Sequence, residues 1–210
     1  MKNHYIAIEG VIGVGKTTLT RLLQPFFNAE ILLEIFEENP FLARFYQDRE
    51  RYAFQTQIFF LLSRYRQQHE AVPAALARRD LLSDYTFDKN KIFARLTIGG
   101  DELEMYERVQ DILAGRIPTP DLVVYLRGSV DTLMERITLR DRIYERSMDR
   151  EYIASLADAY EQYFSTYHAA PVLTLDTDGL DFVHHAVVLE GVARQIQDKL
   201  RESTYQDKLL

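Results

Sequence analysis

The chain has 210 residues, a formal net charge of −7 and no cysteine. Its length suits one globular domain, and 47% hydrophobic residues are enough for a substantial core. The lack of cysteine excludes disulfides, cysteine-bound zinc and thiol catalysis, and the acidic balance disfavours a nucleic-acid partner, which needs an excess of cations.

Short apolar runs alternate with helical patterns along the whole chain. The runs predicted as strands are 5–9, 30–34, 81–84, 122–126 and 172–175. The stretches predicted as helices are 16–24, 49–70, 74–79, 89–97, 101–114, 130–139, 151–167 and a last one from about 181. Pro25 is expected to stop the first helix. This alternation predicts an α/β fold, with a five-stranded parallel sheet flanked by helices on both faces.

Residues 10–17 match the phosphate-binding pattern G-x-x-x-x-G-K-[ST] at every fixed position. In this pattern the glycines let backbone N–H groups approach phosphate oxygens, the lysine reaches the β- and γ-phosphates, and the hydroxyl binds Mg²⁺. The helix that follows adds its positive N-terminal end. We therefore predict a P-loop phosphotransferase fold that binds ATP and Mg²⁺. The residues expected at the nucleotide are Gly10, Gly13, Val14, Gly15, Lys16, Thr17 and Thr18.

Two carboxylates stand at the ends of predicted strands, where parallel sheets collect their ligands. Glu34 could accept a proton from an attacking hydroxyl, or it could belong with Glu37 and Glu38 to a solvated acidic loop. Asp84 occupies the usual place of an acid that holds Mg²⁺, directly or through water, or it only begins a turn. Together with Thr17 it is the predicted metal site.

Polar side chains inside an apolar helical stripe need a partner when they are buried. Gln57 and Arg64 lie seven residues apart on one helix face, with Phe60 and Leu61 between them. Their partner could be the edge of a nucleobase, with the aromatic residues as walls, or other side chains of the protein.

An arginine cluster lies between two predicted helices. Its members are Arg136, Arg140, Arg142 and Arg146. On a lid they would neutralise the transferring phosphoryl group and exclude water. Asp141 and Glu145 are interspersed among them, as they would be on a merely solvated surface.

Taken together and in this order, these residues resemble the deoxynucleoside kinase family, whose P-loop fold phosphorylates the 5′-hydroxyl of a deoxyribonucleoside. The resemblance runs from about Tyr5 to Phe182. Residues 38–42, 51–57 and 83–85 most resemble the bacterial deoxyadenosine/deoxyguanosine kinase branch.

The resemblance implies a role for each candidate. Glu34 would be the general base, Asp84 would contact Mg²⁺, and Tyr46 with Glu145 would hold the 3′-hydroxyl of the sugar. Gln57 and Arg64 would read the base. Lys16 and the lid arginines Arg136, Arg140 and Arg142 would surround the phosphates, and the stretch 176–182, with Asp178 and Phe182, would cradle the adenine of ATP.

Two positions depart from the family pattern. Tyr85 follows Asp84 where the family often has an arginine, so the cation expected near the 5′-oxygen is missing. Asn90 falls where several relatives carry an aspartate paired with the counterpart of Arg64. A neutral partner would leave Arg64 freer to donate to the base, unless Asp88 substitutes.

The predicted function is ATP-dependent phosphorylation of a purine deoxynucleoside, deoxyadenosine or deoxyguanosine, in nucleotide salvage. One domain over 1–210, with a lid at about 139–149, would perform it. A thymidylate-type monophosphate kinase is the enzymatic alternative, but it needs free cations in the acceptor pocket. A P-loop switch or binding module is the other alternative, although neither N-K-x-D nor D-x-x-G stands in a suitable place.

Partners and location follow from the same features. No apolar stretch approaches about 18 residues, and no signal-peptide pattern opens the sequence, so we expect no membrane span and a cytoplasmic protein. The family resemblance implies a homodimer.

Overall fold

The computed structural model describes residues 2–146 and 148–206, with side chains as far as residue 203. The five strands are Tyr5–Gly10 (β1), Glu30–Leu32 (β2), Leu81–Ser83 (β3), Leu122–Arg127 (β4) and Val172–Asp176 (β5). They form one parallel sheet in the order β2-β3-β1-β4-β5. The predicted five-stranded parallel sheet is therefore confirmed.

Helices connect the strands and cover the sheet. They are Lys16–Phe27 (α1), Leu42–Gln47 (α2), Arg49–Leu76 (α3), Lys89–Thr97 (α4), Gly100–Ala114 (α5), Val130–Arg140 (α6), Arg150–Ser165 (α7) and Ala186–Gln206 (α8). A single turn of 3₁₀-helix, Ile143–Glu145, lies in the predicted lid. No helix in the described part of the chain combines the length and apolar character that crossing a membrane requires.

The central strand β1 is fully buried, and its alternate residues contribute to two separate apolar clusters. Ile6 and Ile8 pack into the larger cluster, whereas Tyr5 and Ala7 pack into a smaller one with residues of α3. Because successive side chains of a strand point to opposite faces, both faces of the sheet are covered. This arrangement leaves the carboxyl ends of the strands as the open edge where a site can form.

Pro25 was wrongly expected to end the first helix, and α3 was wrongly predicted as two helices. Pro25 lies in the last turn of α1, which continues to Phe27 and closes where Asn28, with φ +46°, donates its N–H to Gln24 O. Pro73 lies close to the end of α3, so the two predicted helices 49–70 and 74–79 are one. A proline beyond the first turn removes one i→i−4 hydrogen bond and crowds the preceding turn, but near a C-terminus only a few residues must continue the helix past it. The short helix α2 was not predicted, and α8 begins at Ala186 rather than near 181.

Candidate active site at the carboxyl ends of the strands

The P-loop connects β1 to α1 in a conformation that only glycine adopts readily. Gly10 has φ +148° and Gly13 has φ +89°, and a Cβ atom at Gly13 would lie 2.8 Å from the carbonyl oxygen of Leu133. Lys16 is the first residue of α1, and its Nζ donates to the carbonyl oxygens of Gly10 at 2.8 Å and Val11 at 3.0 Å. Burial, with a smaller contribution from nearby Lys89, lowers the pKa of Lys16 to about 8.

Not every predicted phosphate contact offers a free backbone donor. The N–H of Gly10 donates to the Glu9 carboxylate at 3.0 Å, and the N–H of Val14 donates to Val11 O at 3.2 Å. Thr18, by contrast, lines a cavity beside the loop together with Gly13.

Thr17 and Asp84 meet at the base of the P-loop. The Thr17 hydroxyl donates to Asp84 Oδ2, and Asp84 Oδ1 accepts the backbone N–H of Glu34 at 2.8 Å. Burial raises the pKa of Asp84. These are hard oxygen donors of the type Mg²⁺ prefers. In residues 2–146 and 148–206 no group of three His, Cys, Asp or Glu side chains could hold a metal, so a Mg²⁺ ion here would complete its shell with phosphate oxygens and water.

Glu34 lies between two cations from different helices. Its Oε1 accepts from Nε of Arg64 at 2.7 Å and also from Nη2, while Oε2 accepts from Nζ of Lys89 at 2.6 Å. The side chains of Glu34, Arg64 and Lys89 are 12%, 4% and 7% exposed. Burial alone would raise the pKa of Glu34, but the two cations outweigh burial and hold it well below its usual range.

Lys89 is the residue that the sequence analysis missed. It begins α4 immediately after the turn at Asp88, and the sequence analysis predicted that helix but assigned Lys89 no role in the site. The available signal was a cation five residues beyond the strand-end carboxylate Asp84.

The proposed base-reading residues form a polar network at the bottom of the pocket. Arg64 lies over the ring of Phe60 at 4.5 Å and donates through Nη1 to Asn90 Oδ1. Asn90 is fully buried behind Arg64, with its Nδ2 donating to Phe87 O at 2.9 Å. Asn90, rather than Asp88, thus joins Glu34 as a partner of Arg64. Gln57 donates weakly to the Thr97 hydroxyl at 3.4 Å, and its Oε1 is buried with no hydrogen-bond partner among the described residues.

Of the proposed sugar-binding residues, Glu145 belongs to the predicted lid and Tyr46 packs against it. Glu145 is buried and accepts from Arg140 Nη2 at 2.6 Å, with Arg142 Nη1 at 3.5 Å. The Tyr46 ring stacks on Tyr144 at 6.0 Å. Arg142 also covers the ring of Phe36 at 4.1 Å.

The other two arginines of the cluster have different surroundings. Arg136 donates to Val14 O at 3.1 Å and to the carbonyl oxygen of Thr177 at 2.9 Å, which ties the P-loop to the segment after β5. Arg146 pairs with Asp141 at the surface, as expected of a solvated face. Ser147, within the predicted lid, lies outside the described residues.

Two cavities meet at the P-loop. The acceptor cavity, of about 100 Å³, includes Glu34, Tyr46, Gln57, Arg64 and Glu145 in its wall. The donor cavity, of about 760 Å³, is lined on its far side by Asp178 and Phe182. The residues that line both cavities are Gly13, Lys16, Thr17, Arg140 and Arg142. The two cavities therefore adjoin at Lys16, Thr17 and the two arginines.

The sequence is similar to one known protein family over most of its length. A family model described as deoxynucleoside kinase matches residues 6–201. A deoxyguanosine kinase of Bacillus subtilis (strain 168) is 35% identical over 92% of this chain and 96% of its own length. A deoxyadenosine/deoxycytidine kinase of the same organism is 30% identical over 96% and 95%.

The fold has a close match among solved structures. A deoxyadenosine kinase from M. mycoides with bound dATP superposes with a TM-score of 0.80 at 24% identity, covering 93% of this chain and all of that one. At this identity the likeness supports the fold, and the family model and the curated relatives support the family. The chain belongs to the deoxynucleoside kinase family of phosphotransferases.

Proposed function

We propose that this protein transfers the γ-phosphoryl group of ATP to the 5′-hydroxyl of a purine deoxyribonucleoside, in nucleotide salvage. The observation that carries the proposal is the position of Glu34. Its carboxylate lines the acceptor cavity, and its backbone N–H donates to Asp84, which in turn accepts from Thr17 of the P-loop. A proton acceptor therefore lies next to the place where phosphates would bind.

The residues of the site divide the chemistry between them. Glu34 orients the acceptor hydroxyl and takes its proton, and it need not be a strong base because phosphoryl transfer passes through a loose transition state. Lys16, Arg140 and Arg142, which line both cavities, stabilise the charge on the transferring group. Thr17 and Asp84 would hold Mg²⁺, which when bound neutralises phosphate charge. Most of the catalysis is positioning and electrostatics.

The wall of the acceptor cavity suits a neutral sugar better than a phosphate. Arg64 and Lys89 are both held by Glu34, and Arg140 and Arg142 both face Glu145. The other cations of the described wall, Lys16, Arg140 and Arg142, are those proposed to stabilise the transferring phosphoryl group, so none is left for a second phosphate on the acceptor. Tyr46 and Glu145 instead offer a hydroxyl and a carboxylate to a 3′-hydroxyl. This argues against the monophosphate-kinase alternative.

The choice of a purine rests on the relatives, whereas the base-reading residues supply contacts for a base of either kind. The Oε1 of Gln57, which has no partner in the part of the chain that the structure describes, is an acceptor for an exocyclic amine or ring N–H. Phe60 and Phe93 line the same cavity. The relatives are named deoxyguanosine kinase and deoxyadenosine/deoxycytidine kinase, so purine deoxynucleosides are the substrates their names share.

The remaining features of the proposal come from the family. We infer one domain over the chain with a lid at about 139–149, a homodimer, and a cytoplasmic location. Light scattering on the purified protein would test the dimer, and a monomer at micromolar concentration would refute it.

A coupled assay of ADP release tests the function. The donor is ATP with Mg²⁺, and the acceptors are the four deoxynucleosides, the ribonucleosides and the monophosphates. We expect turnover with deoxyadenosine or deoxyguanosine, and a fall in kcat of about 100-fold or more in Glu34→Gln. Glu38→Gln, an exposed carboxylate of the same loop, is the control and should keep full activity. Turnover only with monophosphates, or hydrolysis that no acceptor accelerates, would refute the proposal.

A further inference from the structure

Tyr85 supplies no charge to the site, although it directly follows Asp84. Its side chain is fully buried in the smaller apolar cluster, against Leu32 and Val72. Its hydroxyl donates to Gln67 at 2.6 Å. The position at which the family resemblance expects a cation therefore points into the core and away from the acceptor cavity.

Lys89 is placed where folding alone would not favour a lysine. It is the first residue of α4, and the positive end of a helix disfavours a cation. Its side chain is almost completely buried, which costs free energy unless the ammonium is paired. It also stands close enough to Lys16 to contribute to lowering the pKa of that group. A residue type that the local structure disfavours is expected mainly at functional sites.

The partner of Lys89 is the proposed proton acceptor. Lys89 Nζ lies 2.6 Å from Glu34 Oε2, and Lys89 and Glu34 both line the acceptor cavity. The other oxygen, Oε1, already accepts two hydrogen bonds from Arg64. A carboxylate oxygen accepts about two hydrogen bonds, so Oε2 is the oxygen with room for a substrate hydroxyl.

Building on the proposed function, we propose that Lys89 is a positioning residue, which together with Arg64 fixes the Glu34 carboxylate so that Oε2 faces the 5′-hydroxyl of the acceptor. In the step it supports, the 5′-oxygen forms a bond to the γ-phosphorus and the bond from that phosphorus to the β,γ-bridging oxygen breaks. The hydroxyl proton passes to Glu34 Oε2, and ADP leaves with the bonding electrons. Lys89 thus places a positive charge beside the acceptor oxygen.

The variant Lys89→Met tests this role, because it keeps most of the side-chain volume and removes the charge. We expect kcat for a purine deoxynucleoside to fall about 50-fold, since a misplaced catalytic group costs on the order of 100-fold. The KM for ATP should change by less than about threefold, because the P-loop is untouched. Lys89→Arg should recover most of the loss.

A double-mutant comparison separates positioning from a general structural effect. If Lys89 acts through Glu34, Lys89→Met should add less than about threefold to the loss already caused by Glu34→Gln. Lys91→Met is the matched control, since Lys91 lies on the same helix and pairs with Asp111 at 2.9 Å, outside both cavities. Thermal unfolding of each variant is measured first, and Lys89→Gln replaces Lys89→Met if the latter does not fold.

The possible outcomes are distinct. A kcat within threefold of wild type in Lys89→Met, or a full further loss in the Glu34→Gln background, overturns the role of Lys89. If the wild-type protein phosphorylates no deoxynucleoside, the proposed function fails instead.

Discussion

Glu9 offers the sharpest test of how the sheet supports the P-loop. It is the penultimate residue of β1 and is completely buried. Its Oε1 accepts from Gly10 N at 3.0 Å and from the Tyr160 hydroxyl at 3.0 Å. Its Oε2 accepts from Thr86 N at 2.7 Å and from the Thr86 hydroxyl at 3.1 Å. Each oxygen therefore serves one backbone N–H and one hydroxyl.

Replacing Glu9 with glutamine leaves the shape unchanged and removes this symmetry. In either orientation of the amide, the new NH₂ group faces one hydroxyl and one backbone N–H. The hydroxyl can rotate to accept from the NH₂ group, whereas the backbone N–H of Gly10 or Thr86 can only donate and so loses its acceptor. That N–H loses a hydrogen bond to a charged group, worth about 1.5 to 3 kcal/mol, and is left buried without a partner, at about 1 to 3 kcal/mol. The neutral amide is less costly to bury, which offsets part of the loss. We expect a net destabilisation of about 2 to 3 kcal/mol.

Urea unfolding followed by circular dichroism would measure this change in the free energy of unfolding. In a thermal melt, where 1 kcal/mol corresponds to about 2 to 4 °C for a chain of this size, Tm should fall by about 5 to 10 °C. Glu104→Gln is the control, because the Glu104 side chain is 73% exposed and its ion pair with Arg108 is long, at 3.9 Å. The free energy of unfolding of this variant should stay within about 0.5 kcal/mol of wild type. A Glu9→Gln variant as stable as the control would refute the hydrogen-bond accounting.

Other predictions concern the loop, the metal and a helix. Gly13→Ala should abolish measurable ATP binding, because its Cβ would lie 2.8 Å from Leu133 O at φ +89°; ATP binding within threefold of wild type by calorimetry would contradict this. Gly191→Ala, in α8 with open space around it, should instead raise stability by up to about 1 kcal/mol in a thermal melt. Adding EDTA should stop turnover, and excess Mg²⁺ should restore it. Asp84→Asn should need several-fold more Mg²⁺ for half-maximal rate, and an unchanged requirement would remove Asp84 from the metal site.

The candidate residues that the sequence alone predicted share a local cause. The glycines and Lys16 of the P-loop follow from a pattern of eight consecutive residues, and the conformation of such a turn depends on its own sequence. Glu34 and Asp84 follow from their position after apolar runs, because the carboxyl ends of parallel strands lie at one edge. The five-stranded parallel sheet was predicted for the same reason.

Only the tertiary structure decided how these groups are paired. Lys89 and Arg64 are 55 and 30 residues from Glu34, so their meeting depends on how α3 and α4 pack against the sheet. Packing also turned Tyr85 into the core, and it kept α3 helical through Pro73. Local sequence preferences fix where turns and strand ends occur, whereas the free energy of burying a charge depends on neighbours that only the folded chain supplies.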